Sequence, residues 1–323
     1  EAILQEIDLL RRHFGGDLVY LNPNIASPVY IPRLLFGFHR LRQIRAREQS
    51  VDLHHLYNAD PFPFAVANFF RRPVVYSVSS GVGRRKPVKH YFNHLAAVTV
   101  SDERSLQKLR QWGVKNCYLV RPGIDTGGVT CTPQPLGPEL RLVFASAPWT
   151  KAQFRIKGVD ALLEAVRQRP YVRLICVWRG LLVEELEARV RRLGLGRQVE
   201  IINRQVDINE ILAQAHAVVN LVTIPEVIRS YPHSLVESLA AGKPVIVSQT
   251  IPMADYVAQK QCGVTVPRVT AETVAQAIDR LAEQYDRLAA AARNVGGRDF
   301  SVQGMIESFA RVYRTVLGGR HAP

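Results

Sequence analysis

The chain has 323 residues, 47% of them hydrophobic, and 42 lysines and arginines stand against 28 acids. That length supports more than one core and points to two domains, while the net charge of +14 favours anionic partners: nucleotide phosphates, nucleic acid or an anionic membrane surface. Cys117, Cys131, Cys176 and Cys262 lack CxxC spacing, no apolar run reaches the roughly 18–20 residues of a spanning helix, and the first residues do not read as a signal peptide, so reduced, mostly buried thiols in a cytoplasmic protein are expected.

The sequence opens at Glu1 inside a helical pattern (Ile3, Ile7 and Leu10 against Glu6, Arg11 and Arg12), from which an initial strand is expected to be missing. Gly15-Gly16 end that helix, and Leu18-Val19-Tyr20-Leu21 read as a strand. Residues 31–47 read as a basic amphipathic helix, with Ile31, Leu34, Leu35, Phe38, Leu41 and Ile44 opposite Arg33, His39, Arg40, Arg42, Arg45 and Arg47. Such a helix either lies on an anionic membrane, apolar face inward, or packs on a sheet with its arginines solvated. Strands follow at 53–57, 73–78 and 97–100, then a helix at 102–112 closed by Gly113, and a strand at 117–120. The Gly/Pro-rich stretch 126–138 has no periodicity and reads as a linker.

Beyond it the alternation restarts. Strands are expected at 140–147, 172–178, 199–203, 217–224, 244–248 and 263–266. Helices are expected at 158–168, 182–194, 207–215, 233–241, 253–259, 271–293 and 302–317. This is an α/β pattern of parallel sheets in two Rossmann-like domains facing across a cleft. The expected domains are residues 1–135 and 136–301, with the helix 302–317 packing back on the first. Ligands in such folds bind at the carboxyl ends of the strands.

Two places carry chemistry. Lys157 lies between a strand and the helix starting near Gly158, where a cation beside free helix N–H groups suits a diphosphate. Glu237 is expected to open a short apolar helix that stops at Gly242, followed by Lys243-Pro244 and the buried-type strand Val245-Ile246-Val247.

Four pieces then stand in order: Val98-Thr99-Val100-Ser101; Arg121-Pro122-Gly123-Ile124-Asp125 after Gly113; Lys157 to Ala165; and Glu237 to Val245. Together they resemble the GT-B fold retaining glycosyltransferases of family four, from about Leu18 to about Leu317. The resemblance implies that Lys157 and an arginine upstream grip the donor's diphosphate. That arginine's usual place is Ala152, which leaves Lys151 and Arg155 as the nearby cations. Glu237 matches the second glutamate of the family's E-x7-E pattern, which binds the nucleotide ribose. The first glutamate's place is taken by Arg229, with Glu226 three residues too early. An arginine there suits an acidic sugar or the diphosphate.

The run Ser230-Tyr231-Pro232-His233 still fits the family, so His233, Ser234 and Leu235 are expected at the donor. Trp178-Arg179-Gly180 and Asn203-Arg204-Gln205-Val206 end strands, and the resemblance implies that the base is held near Arg204 and Val206. In the first domain the family's histidine is replaced by Ser79, followed by Ser80-Gly81. His54 and His55 are expected to end the preceding strand toward the acceptor side.

The function implied is metal-independent, retaining transfer from a nucleotide-diphosphate sugar to a glycan or lipid-linked acceptor in polysaccharide biosynthesis. No cofactor is expected, and the place is cytoplasmic, peripheral at the inner face of the membrane. The alternative is a GT-B-like binding or scaffold protein without transfer activity, favoured by Arg229 and Ser79. A nucleic-acid partner is not expected, because only the charge suggests it and no recognised nucleic-acid module is present.

Overall fold

In the computed structural model, residues 2–124, 134–178 and 180–318 are described. Asp125, most of the expected linker, Cys131 and Arg179 lie outside the described residues. The chain divides into two compact units, Glu1–Arg121 with the residues from Met305 onward, and Pro122–Gly304. The division falls at Arg121, ahead of residue 135, because Ile124 is bridged to Ser301 and its N–H donates to Phe300 O at 2.7 Å.

The first unit contains α1 (Ala2–Phe14), α2 (Leu41–Arg47), β1 (His54–Asn58), β2 (Val74–Val78), α3 (Lys89–His94), β3 (Ala97–Val100), α4 (Glu103–Gln111) and β4 (Cys117–Leu119). The strands form one parallel sheet in the order β1-β2-β3-β4. Every residue of β2 and β3 is buried, as the continuous apolar runs of a parallel sheet require. Asp102 caps α4, accepting the Ser105 N–H at 2.8 Å, and the chain leaves that helix through Gly113.

Two expectations fail in this unit. Residues 18–21 form no strand: the Leu21 carbonyl is taken by the Gly37 N–H at 2.9 Å rather than by a ladder. Residues 31–47 form no continuous helix. Short 3₁₀ turns at Arg33–Leu35 and Phe38–Arg40 precede α2, because Pro32 lacks an N–H and Gly37 takes a left-handed conformation at φ +87°. The short α3 and a 3₁₀ turn at Ala65–Phe69 have no counterpart in the sequence reading.

The second unit runs through β5 (Leu140–Phe144), α5 (Lys151–Ile156), α6 (Val159–Arg167), β6 (Val172–Val177), α7 (Val183–Arg192), β7 (Val199–Ile202), α8 (Ile208–Gln214), β8 (Ala217–Asn220), α9 (His233–Ala240), β9 (Val245–Ser248), α10 (Met253–Lys260), β10 (Gly263–Val266), α11 (Ala271–Glu283) and α12 (Tyr285–Asp299). The expected helix 271–293 is therefore two helices, broken at Gln284. All six strands are parallel, in the order β7-β6-β5-β8-β9-β10. From β5 the chain winds outward through β6 and β7, then returns to the other side of β5 and winds outward again. The reversal between β5 and β8 is a topological switch point, where the connecting loops diverge and leave a crevice. Apolar cores cover both faces, one around Phe154, Leu162 and Ile278, the other around Leu235, Val247 and Phe300.

The last helix, α13 (Val302–Gly318), belongs to the first unit from Met305. Tyr313 places its hydroxyl 2.7 Å from His55 Nδ1, and His55 Nε2 lies 2.7 Å from Ser77 Oγ, which reaches Thr99 Oγ1 at 2.5 Å. Burial pushes the His55 pKa down to about 3, so the imidazole is neutral in this network. An unfolded chain protonates His55 below about pH 6.5 and the folded unit does not until about pH 3. Stability is therefore full above pH 6.5 and falls by up to ~1.4 kcal/mol per pH unit on acidification through that window. In His55→Gln this part of the slope is expected to vanish. Urea unfolding at pH 7 and pH 4.5 checks it: equal slopes for both proteins would show that His55 is not the titrating group.

Candidate functional site

The switch point gathers two loops, the one leaving β5 and the one leaving β8. The first contains a short helix that has no counterpart among the expected elements. Residues 151–156 are the helix α5, held by Phe154, which is buried against Trp178 (ring centroids 5.7 Å apart) and lies 4.1 Å beneath the Arg189 guanidinium. Lys157 is the C-cap of α5, so its N–H donates to Gln153 O at 2.7 Å and is not free. Its side chain turns back toward β5, and Nζ donates to Ala147 O at 2.8 Å. The group is half-buried, and burial lowers its pKa. The result is a partly desolvated ammonium held at the carboxyl edge of a parallel sheet.

Gly158 makes this placement possible. It adopts φ +67°, and a Cβ on it would lie 2.7 Å from Leu221 Cβ, at the exit of β8. Thr223 fastens the same junction, its N–H donating to Ile156 O at 2.8 Å. Ala147 and Thr223 act through backbone atoms and carried no side-chain signal in the sequence.

The other cations nominated beside Lys157 fare differently. Lys151 pairs with Glu185 of α7 at 3.1 Å. Arg155 is exposed in the last turn of α5 and makes no ion pair among the described residues.

The loop leaving β8 leads to α9. That helix starts at His233 behind Pro232, so Glu237 is its fifth residue and does not open it. In its first turn Val236 N–H donates to Pro232 O at 3.2 Å, which leaves the N–H groups of His233 and Ser234 without intrahelical partners. Glu237 lies one turn further along the same face, its Oε1 3.9 Å from His233 Nδ1, and burial lowers the pKa of that imidazole. Ser234 is half-buried at the helix start, whereas Leu235 is wholly buried in the core and its N–H donates to Pro232 O at 3.1 Å. The Leu235 side chain therefore holds α9 to the sheet. Arg229 is half-buried in the loop before α9, and it makes no ion pair among the described residues; Glu226 is exposed.

Arg204 and Val206 follow β7, two strands from β5 and so about 10 Å along the sheet. Arg204 is exposed, and Val206 packs on the core beside α8. Trp178 is fully buried and donates its indole N–H to Leu181 O at 3.3 Å, which shapes the loop leaving β6.

In the first unit, the Ser79 and Ser80 N–H groups continue the β1–β2 ladder past its end, donating to Asn58 O (2.8 Å) and Ala59 O (3.0 Å). They form a small-residue carboxyl edge. His54 does not share it. It is the first residue of β1, roughly 13 Å from the carboxyl end of that strand. Its Nε2 lies 2.9 Å from Glu48 Oε1 and its ring packs on Phe70, an anchoring role. Cys117, Cys176 and Cys262 are buried free thiols, their pKa values raised by burial. Among the described residues no group of three or more His, Cys, Asp or Glu is gathered as a metal site, and no helix is long and apolar enough to cross a membrane.

The Lys157 junction can be tested from both of its partners. Gly158→Ala is expected to destabilise the second unit by roughly 1–3 kcal/mol through backbone strain and overlap with Leu221; an unchanged urea midpoint would contradict the close approach. Lys157→Met removes a charge disfavoured by burial, so its stability is expected to equal or exceed the parent's at pH 7. Because the folded-state pKa is below the unfolded one, the parent gains stability as pH rises through that interval, and the gap to Lys157→Met is expected to narrow toward pH 10. Thermal melts across alkaline pH measure this.

Residues 151–296 match the family model described as glycosyl transferases group 1. The D-inositol 3-phosphate glycosyltransferase of Segniliparus rotundus is 31% identical over 180 residues, which cover 52% of this chain and 39% of that relative. Among solved structures, a glycosyltransferase from Rickettsia africae superposes with a TM-score of 0.73 at 15% identity, covering 98% of this chain and 88% of that one. Anabaena HepE in complex with UDP superposes with a TM-score of 0.71 at 19% identity, covering 96% and 89%. These likenesses show the fold. The chain has the GT-B fold of two parallel α/β sheets, and its residues 151–296 are similar to the glycosyl transferases group 1 family.

Proposed function

We propose that this chain transfers a sugar, with retention of the anomeric configuration, from a nucleotide-diphosphate donor to a glycan or lipid-linked acceptor at the cytoplasmic side of a membrane. The observation that carries the reading is the Lys157 ammonium, half-buried at the β5–β8 switch point beside the loop that leads to the amino end of α9. Lys157 meets the charge that develops on the leaving diphosphate, and His233 and Ser234 offer α9 N–H groups to the same group. Glu237 accepts hydrogen bonds from the ribose hydroxyls, and the base lies toward Arg204 and Val206. Arg155 and Arg229 add positive charge, and the chemistry assigned here uses these side chains rather than a metal ion or cofactor. The leaving phosphate takes the acceptor's proton, so the protein's work is positioning and charge stabilisation. Ser79 and Ser80 face the acceptor side. HepE complexes with UDP, glucose and UDP-glucose favour uridine nucleotides as the first donors to test.

Arg229 at the place of the family's sugar-contacting glutamate favours a second reading, a nucleotide-binding protein without transfer. One series of measurements separates them. A nucleoside diphosphate at a hundredfold excess over Kd is expected to raise Tm by ~5–10 °C. Lys157→Ala is expected to lose most of that shift with its own Tm preserved, and Glu237→Ala to weaken binding ~10–100-fold. If no nucleotide changes Tm, the donor site is misassigned. If nucleotides bind but no nucleotide sugar is transferred or hydrolysed, the non-enzymatic reading holds.

A further inference from the structure

The first unit carries a surface device that sugar transfer does not use. Asn24 clamps the base of a loop: its side-chain carbonyl accepts the Ile31 N–H at 2.8 Å, and its amide donates to Ile31 O at 3.0 Å. Inside the loop, Ser27 Oγ donates to Val29 O at 2.8 Å. With its base tied, the loop holds Ile25, Val29 and Tyr30 outward at 77%, 69% and 78% exposure. Leu34 and Leu35 follow in the next turn and are also exposed. Single exposed apolar residues are ordinary, but five large ones within eleven residues on a hydrogen-bonded scaffold mark an interaction site.

Charge identifies the partner. From residue 18 to residue 47 the chain has no Asp or Glu and five arginines. Arg33 is occupied by Asp60 and Arg47 by Asp17. Arg40, Arg42 and Arg45 are exposed and make no ion pair among the described residues. They are joined to the apolar patch: the Arg33–Leu35 turn packs on the Ala65–Phe69 turn, and the Arg45 guanidinium donates to Phe69 O at 3.3 Å. A second copy docking symmetrically would bring the same arginines against these, so self-association on this face is opposed by charge. An anionic bilayer supplies an apolar layer bordered by negative headgroups.

We propose that the loop 24–31 enters the interface of an anionic membrane, with Arg40, Arg42 and Arg45 on the headgroups. The inserting element is the clamped loop and the turn after it, not an amphipathic helix over 31–47, since Ile44 of α2 is buried in the protein. The proposal is independent of the nucleotide site, and vesicle binding tests it without reference to activity.

The test uses the whole chain with vesicles of phosphatidylcholine, with and without phosphatidylglycerol. The parent is expected to co-sediment with the anionic vesicles and not with the neutral ones. The triple variant Ile25→Ser, Val29→Ser, Tyr30→Ser is expected to bind at least ~tenfold more weakly, with an unchanged melting curve. Replacing Arg40, Arg42 and Arg45 by Gln is expected to cost about fivefold per arginine. Tyr30→Trp, which keeps the apolar tip, is expected to show an emission component, absent from the parent, that shifts to the blue with anionic vesicles only. Failure of the parent to bind, full binding by the triple variant, or an unshifted emission component in the Tyr30→Trp variant would each overturn the proposal. So would a dimer of the parent that the triple variant dissolves.

Discussion

Parallel strands cannot be joined by tight turns, so each connection in both units crosses a face of its sheet through a longer segment, usually a helix. In the second unit those crossings run outward from β5 one way and from β8 the other. The two loops leaving these neighbouring strands must part, and the crevice they leave cannot be filled by either crossing helix. Lys157 depends on that geometry. Its carbon stem is partly buried, and among the described residues its ammonium donates only to Ala147 O. One neutral acceptor takes one of the three donors of a –NH₃⁺ group, and the proposed diphosphate contact rests on the others.

The segments around Lys157 are fixed by local contacts. Phe154 pins α5 into the core, Thr223 ties the end of α5 to the exit of β8, and Gly158 lets the two chains approach. On the far side, Leu235 and Val236 bury themselves under α9. That leaves His233 and Glu237, four residues apart and on one face, turned away from the core. Neighbouring charges are disposed of locally: Arg189 takes Glu185 and Asp160, and Lys151 takes Glu185. The first unit settles its buried polar groups differently, by a chain of neutral hydrogen bonds through Tyr313, His55, Ser77 and Thr99 that fastens α13 to the sheet.

Strand and helix positions in the second unit were legible because continuous Val/Ile/Leu runs such as 245–247 and amphipathic runs such as 159–166 report burial directly. What misled lay where a single residue decides the backbone. Gly37 divides what reads as one helix at 31–47, and Gln284 divides 271–293. The strand pattern at 18–21 is real in composition, but a strand exists only with a neighbour to pair with, and Leu21 bonds Gly37 instead. His54 looked like a candidate for the acceptor side because residue type suggests chemistry; its position at the amino end of β1, on Glu48, is a matter of register that no local pattern records.

By itself, then, the sequence determined the α/β class, the alternation of elements, and the order of Lys157, Arg229 and Glu237 along the chain, since periodicity and residue type are local properties. Only the tertiary structure decided that β5 and β8 are neighbours and that Lys157 caps a short helix with its ammonium turned inward. It also decided that Leu235 is core, and that the arginine-rich, acid-free segment holds a clamped apolar loop rather than a long helix. Those outcomes rest on contacts between residues far apart in sequence, such as Gly158 with Leu221 and Gly37 with Val66, and the free energy of such contacts exists only once the chain has closed on itself.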